Sequence, residues 1–344
     1  MKKIFTISFL ISIFFLAFYL GACNKEQKIK GLKRLSITVP PGFPQPVYNF
    51  EDNPLTQEGF ELGRKLFYEP RLSIDDLHPC SSCHQEISAF GTFEHDRSHG
   101  VYNSHTLRNA PVLFNLNWST KFHWDGEFSS LIDEVGQPIN GHVEMGESFT
   151  GVIDKLEKDP AYRDAFKKVF GYPFIRAEDI AKALSQFTGS LISANCKYDK
   201  VKAGTATWSA QELHGYQLYQ ANCATCHPEP LFTDHSFRNN GLALDTSLND
   251  FGLMRVTHRS EDSLKFKVPT LRNAYISSNY MHDGRYNTLH QVIDHYRTGI
   301  IQSPTLDPSL RNGIPLTNTE AADLFEFLRS LTDSSFITNP LYRE

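Results

Sequence analysis

Two pentapeptides decide the reading of this chain: Cys80-Ser81-Ser82-Cys83-His84 and Cys223-Ala224-Thr225-Cys226-His227. Each is a C-x-x-C-H motif, the pattern of c-type haem attachment. Cysteines three apart lie on one face of a helical turn, where each sulfur can form a thioether to a haem vinyl group. The histidine that follows is then placed to ligate the iron from the proximal side. A thioredoxin-like redox pair needs no following histidine, and a four-cysteine zinc site need not carry one after both pairs. The chain is therefore expected to hold two covalently bound haem c groups, one through Cys80, Cys83 and His84 and one through Cys223, Cys226 and His227.

Working outward, the motifs belong to a longer repeat. Cys80–His84 is followed by Thr106-Leu107-Arg108-Asn109-Ala110 and then His123-Trp124-Asp125-Gly126. Cys223–His227 is followed by Thr270-Leu271-Arg272-Asn273-Ala274 and Met281-His282-Asp283-Gly284. Upstream, Gly63-Arg64-Lys65-Leu66-Phe67 echoes Gly215-Tyr216-Gln217-Leu218-Tyr219. The shared order points to two tandem haem domains, residues 41–196 and 197–344. Apolar spacing predicts helices over Leu55–Tyr68 with Thr56 as N-cap, over Ile180–Leu191, and over Leu289–Tyr296. Thr317-Asn318-Thr319-Glu320 reads as a capping box opening a helix through Leu331. Stretches rich in Asn, Ser, Gly and Pro between these read as long loops. The expected fold is mostly α: two cytochrome c-like helical haem domains with long loops.

Composition agrees. The 344 residues suit about two domains at roughly 150 each, and 40% hydrophobic residues are enough for packed cores. A net charge of −5 leaves no basic footprint, so nucleic acid is not an expected partner. Lys2 and Lys3 precede an apolar run from Ile4 to Leu20, followed by Leu20-Gly21-Ala22-Cys23. A basic start, an apolar core and small residues before a break form a secretory signal. The run is also near the length of a membrane anchor, but Leu-Gly-Ala-Cys resembles a bacterial lipobox. Residues 1–22 are read as a lipoprotein signal peptide, Cys23 as the lipidated residue and 23–40 as a tether. That places the protein on the periplasmic side of a bacterial membrane, held by lipid. Cleavage removes Lys2 and Lys3, taking the charge from −5 to −7. Cys196, outside both motifs, reads as a packing residue.

Further stretches resemble the bacterial di-haem cytochrome c peroxidases, a family that includes MauG. They are Arg108-Asn109-Ala110-Pro111, Phe122-His123-Trp124-Asp125-Gly126, Val143-Glu144-Met145-Gly146, Tyr280-Met281-His282-Asp283-Gly284-Arg285 and Phe327-Leu328-Arg329-Ser330-Leu331-Thr332. The resemblance implies that the first haem, on His84, meets hydrogen peroxide, and that the second, on His227, passes electrons to it. It implies that Glu144 is the distal acid–base group and Trp124 the electron relay between haems. It also implies a Ca²⁺ ion between the domains, held by the Asn109 side chain and the Ser277 and Asn279 carbonyls; all-oxygen donors suit that cation.

Three departures from the family pattern carry expectations of their own. Glu134 stands where the family usually has Gln, so two carboxylates share one pocket and like-charge repulsion should raise one pKa. Val101 stands where peroxidases of the family carry a histidine that must leave the iron. His99 and His105 are nearby substitutes, but an open site on the first iron is the expected state. Tyr296 falls at the second iron's distal position, as in MauG, with Met281, His282 and His295 as alternatives. The expected function is peroxide reduction with electrons from a small cytochrome c or cupredoxin; the acidic mature chain favours a basic donor. The alternatives are MauG-like oxidation of residues in a partner protein and electron transfer alone. A homodimer is left open.

Overall fold

Thr56 opens the first long helix as the sequence predicts, its side chain accepting from the Gly59 amide at 3.0 Å and satisfying one of the free donors of the first turn. A computed structural model describes residues 31–344. The signal segment 1–22 and Cys23 lie outside the described residues. Helices follow in the order α1 (Gln57–Phe67), α2 (Cys80–Cys83), α3 (Leu131–Asn140), α4 (Phe149–Leu156), α5 (Pro160–Phe170) and α6 (Ala177–Thr188). Then come α7 (Lys197–Lys202), α8 (Ala210–Asn222), α9 (Met254–Thr257), α10 (Leu289–Thr298), α11 (Asn318–Ser330) and α12 (Ser334–Ile337). Two antiparallel pairs, β1 (His99–Gly100) with β2 (Ser104–His105) and β3 (Phe237–Arg238) with β4 (Phe266–Lys267), are the named strands. The fold is mostly helical, and long loops carry the motifs. Among the described residues no helix is long and apolar enough to cross a membrane.

The sequence repeat is a repeat of packing. α1 lies against α6, and α8 lies against α11. At the first crossing a Cβ on Gly63 would stand 1.9 Å from the Ala183 carbonyl oxygen; at the second, a Cβ on Gly215 would stand 2.0 Å from that of Asp323. Both glycines serve close backbone approach. Beside each crossing sits an aromatic trio. Phe67, Phe90 and Phe187 have centroids 5.2–6.1 Å apart, and Tyr219, Phe232 and Phe327 have centroids 5.0–6.3 Å apart. The echo of Gly63–Phe67 in Gly215–Tyr219 thus reports one helix crossing used twice. Gly63→Ala is expected to destabilise the holoprotein by an amount at the upper end of the roughly 1–3 kcal/mol that overpacking costs, read from its denaturation midpoint.

The halves are also tied together. Arg272, fully buried, grips Asp199 with two hydrogen bonds of 2.7 and 2.8 Å. Its counterpart Arg108 holds Asp125 at 2.7 Å and reaches across to Asp250. The repeated T-L-R-N-A motif therefore supplies a buried cation that needs a carboxylate on each occasion. After α11 the chain returns to the first half, where Phe336 of α12 joins the core of Phe90 and Phe114. Cys196 is buried as expected; burial pushes its thiol up to about 12, and its backbone opens α7.

Candidate functional site

In both halves the C-x-x-C-H segment forms a single turn. The His84 amide donates to the Cys80 carbonyl at 3.0 Å, and the His227 amide donates to that of Cys223 at 3.0 Å. His84 Nδ1 faces the Phe90 carbonyl at 3.1 Å, and His227 Nδ1 faces the carbonyls of Phe232 and Pro269 at 3.0 and 3.1 Å. A backbone acceptor at Nδ1 requires the proton there and leaves Nε2 with its lone pair. Burial pulls both imidazoles below the usual histidine range, which keeps them neutral. A neutral ring whose second nitrogen is pinned is the form that ligates a metal. Phe90 and Phe232 adopt left-handed backbone angles, φ 60° and 56°, and their rings belong to the two aromatic trios. The ring anchors the residue and the strained backbone aims its carbonyl. An aromatic six residues after His84 and five after His227 is legible in the sequence, but the role of its carbonyl is not.

Over the first motif, three loops converge. Val101 is fully buried, and its amide donates to the Glu144 carbonyl at 2.8 Å. Gly100 makes that approach feasible, since a Cβ there would lie 2.1 Å from the Val143 carbonyl oxygen. The Glu144 carboxylate rests against Gly141, where a Cβ would come within 2.3 Å of Oε2. Its charge is felt at Cys83, and those of Glu134 and His123 are felt at His84. The pKa of Glu144 is raised, first by burial and further by Glu134 and Glu127, with His123 opposing. Like-charge repulsion is thus a smaller cause of the rise than burial. His99 and His105 face away: cross-strand partners in β1 and β2, they are exposed, with rings 4.2 Å apart, and His95 stands 4.5 Å from His99.

Trp124 stands on the seam between halves. Its Nε1 donates to the Asn109 carbonyl at 2.9 Å, and its own carbonyl accepts from the Lys267 amide at 2.8 Å. The Asn109 amide in turn donates to the carbonyl of His282, the counterpart of Trp124 in the repeat. Over the second motif, Tyr296 of α10 is flanked by Asn240 and by the thiols of Cys223 and Cys226. Burial first, and those thiols next, push its phenol up to about 12. The two histidine alternatives are engaged elsewhere. His295 Nε2 faces the Asn240 carbonyl at 3.0 Å and its Nδ1 faces the Tyr286 hydroxyl at 3.4 Å. His282 stacks on Phe266 with centroids 3.6 Å apart. Met281 Sδ accepts from Asn240 Nδ2 at 3.4 Å, so it shares that amide with Tyr296.

The segment ahead of Asn109 meets the Ser277–Asn279 loop across the seam through a hydrogen bond from the Glu94 amide to Ser278 Oγ. The Asn109 amide nitrogen donates to the Asp96 carbonyl at 2.9 Å. The Ser277 carbonyl accepts from Tyr280 and that of Asn279 from Ser277 Oγ, so each keeps one lone pair. Two nitrogens on the seam, the Lys267 ammonium and the neutral His235 ring, fit an anionic cofactor. Lys267, pulled down to about 8 by burial, donates to the Lys121 carbonyl at 3.1 Å. His235 Nε2 is buried without a hydrogen-bond partner. Haem carries two carboxylates that could complete such groups.

The family model described as di-haem cytochrome c peroxidase matches residues 57–207. The methylamine utilization protein MauG of Methylorubrum extorquens is 33% identical over 304 residues, covering 86% of this chain and 85% of that protein. This chain belongs to the di-haem cytochrome c peroxidase family. The family is one of peroxidase-type oxidoreductases, and its name implies haem c as the cofactor. The cytochrome c551 peroxidase of Nitrosomonas europaea is 34% identical over 238 residues, covering 68% of this chain and 71% of that one. A solved structure of a MauG-like protein associated with microbial copper homeostasis superposes with a TM-score of 0.83 at 31% identity, over 90% of this chain and 98% of that chain.

Proposed function

We propose that the protein reduces hydrogen peroxide to water at the first haem, drawing electrons through the second from a small cytochrome c or cupredoxin. One observation carries the reading: beside the first motif the chain sets an apolar, fully buried Val101, whose amide bonds the Glu144 carbonyl, next to a Glu144 carboxyl whose charge is felt at Cys83. Peroxide reduction takes two electrons and two protons per molecule. When bound, haem supplies the iron that accepts peroxide and the redox equivalents. The chain supplies the rest. His84 would hold the iron through Nε2, its Nδ1 being locked on the Phe90 carbonyl. Glu144 takes the proton from one peroxide oxygen and returns it to the other, the general acid–base role for which a raised pKa suits a carboxyl near neutral pH. Trp124, hydrogen-bonded to both halves, is the relay. Tyr296 would supply the second ligand to the other iron. Asn109 and the carbonyls of Ser277 and Asn279 would hold a Ca²⁺ ion that stiffens the seam.

Electron paramagnetic resonance of the oxidised holoprotein tests the reading. One high-spin and one low-spin ferric signal are expected; two low-spin signals would exclude direct entry of peroxide. Tyr296 also favours a second reading, oxidation of residues in a partner protein by peroxide. Fast turnover with reduced cytochrome c separates the first reading from the second. Lipid attachment at Cys23 and a periplasmic location complete the proposal; mass spectrometry of the mature N-terminus checks them.

A further inference from the structure

The sequence places Glu134 and Glu144 in one pocket, and the structure adds a third member. His123 Nε2 stands 3.0 Å from Glu134 Oε2, and its Nδ1 stands 3.6 Å from Glu127 Oε2. Glu134 projects from α3 with 13% of its side chain exposed, whereas Glu127 is half exposed. Glu134 Oε2 is otherwise without a hydrogen-bond partner; the imidazole is at ion-pair distance from it, and the Lys267 ammonium acts on it from farther away. His123 sits in the left-handed region at φ 61° and packs edge-on to Phe128. Such a backbone is uncommon outside glycine and gathers at functional sites.

We propose that His123 and Glu134 work as one neutral imidazolium–carboxylate unit that lets Glu144 ionise and holds the proton that its cycle needs. The inference deepens the peroxidase reading and rests on it. Two adjacent ionised carboxylates in a partly dry pocket repel each other, and Glu144 would stay protonated and unable to accept a proton. An imidazolium at 3.0 Å from Glu134 cancels its charge. The charged groups facing His123 are Glu134, Glu127, Asp125 and Glu144. Asp125 is already engaged by Arg108. The only opposition comes from burial: His84 in the motif is neutral, and Lys267 of β4 interacts with Glu134 and Asp125. Burial alone would pull the His123 pKa down; the surrounding carboxylates, Glu134 first, outweigh it and leave it raised. The pair thus stays net neutral to a higher pH than a free imidazole would allow and turns net negative as pH rises through that raised value.

The test is the pH profile of the pre-steady-state peroxide reaction in holoprotein. His123→Phe is expected to move the acid limb upward, with a loss on the order of tenfold on that limb, and to remove the alkaline limb. His123→Phe/Glu134→Gln removes both charges and is expected to recover the low-pH rate while the alkaline limb stays absent. A persistent alkaline limb in His123→Phe, no recovery in the double variant, or the same loss at every pH would overturn the inference. Glu144→Gln separates the two levels. An unchanged rate in that variant sinks the peroxidase reading itself. A collapsed rate there, with His123→Phe overlaying the unsubstituted protein, sinks this inference alone.

Discussion

Glu144→Gln is expected to slow the reaction of the holoprotein with peroxide by roughly 10²–10⁴-fold, the range that positioned acid–base groups contribute. The substitution keeps the size of the side chain and its place against Gly141, but the amide cannot take up and return a proton. Because the Val101 amide bonds the backbone carbonyl of residue 144, the loop geometry does not depend on the carboxylate. The acid limb of the unsubstituted protein should lie above the usual 4.5 of a glutamate, since burial raises the Glu144 pKa. The same shift fixes a stability effect of opposite sign. A carboxyl whose folded pKa is raised contributes stability below its unfolded pKa and loses it as pH rises through the folded value. The Gln variant should therefore equal the parent in thermal midpoint at low pH and exceed it at neutral pH. Stopped-flow mixing with peroxide and pH-resolved melting check the two halves. Undiminished peroxide reactivity would remove Glu144 from the chemistry. Gly141→Ala offers an independent check, because its Cβ would crowd Oε2 and misaim the carboxyl while leaving it able to titrate.

The haem motifs and the helical fold were legible because both depend on local spacing. C-x-x-C-H closes within one turn, and Thr56 and Thr317 cap their helices with side chains close in the chain. The duplication was legible for the same reason, although the cause of its Gly63 and Gly215 was not: a glycine chosen for the oxygen of Ala183 or Asp323 is a long-range fact. Apolar periodicity carried the helix of Ile180 on to Leu191, whereas α6 stops at Thr188; Leu191 is buried without being helical, and burial alone does not mark an end. His123 was passed over since its meaning lies in Glu134, eleven positions away and on another element. Two carboxylates sharing a pocket require a counter-charge, and a search for one would have reached the histidine beside Trp124. The Phe90 and Phe232 carbonyls were hidden because a side-chain alphabet does not show which backbone oxygen a strained residue points.

Tyr296→Met is expected to raise the reduction potential of the second haem by a sizeable part of the roughly 0.8 V that axial ligands span. An anionic phenolate oxygen stabilises ferric iron, whereas a thioether favours the ferrous state. The surroundings of Tyr296 suit a ligand: the phenol lies against Cys223 and Cys226, while burial opposes its ionisation in the absence of a cation. A metal would supply the charge that makes the deprotonated form favourable. The alternative donor in reach is Met281, whose sulfur meets the Asn240 amide that also borders Tyr296. Two controls divide them. Tyr296→Phe removes the oxygen and keeps the ring, so a second high-spin ferric signal should emerge. Met281→Leu should leave spectrum and potential unchanged. The reverse pattern would assign the second iron to Met281. The consequence reaches the first haem as well: a second haem poised for the ferric state lets the oxidised protein react with peroxide without prior half-reduction. In Tyr296→Met that competence should fall, although no atom near Glu144 has changed, because the proposed reading has the two haems exchange electrons across the seam, where the Asn109 peptide joins Trp124 to the His282 carbonyl.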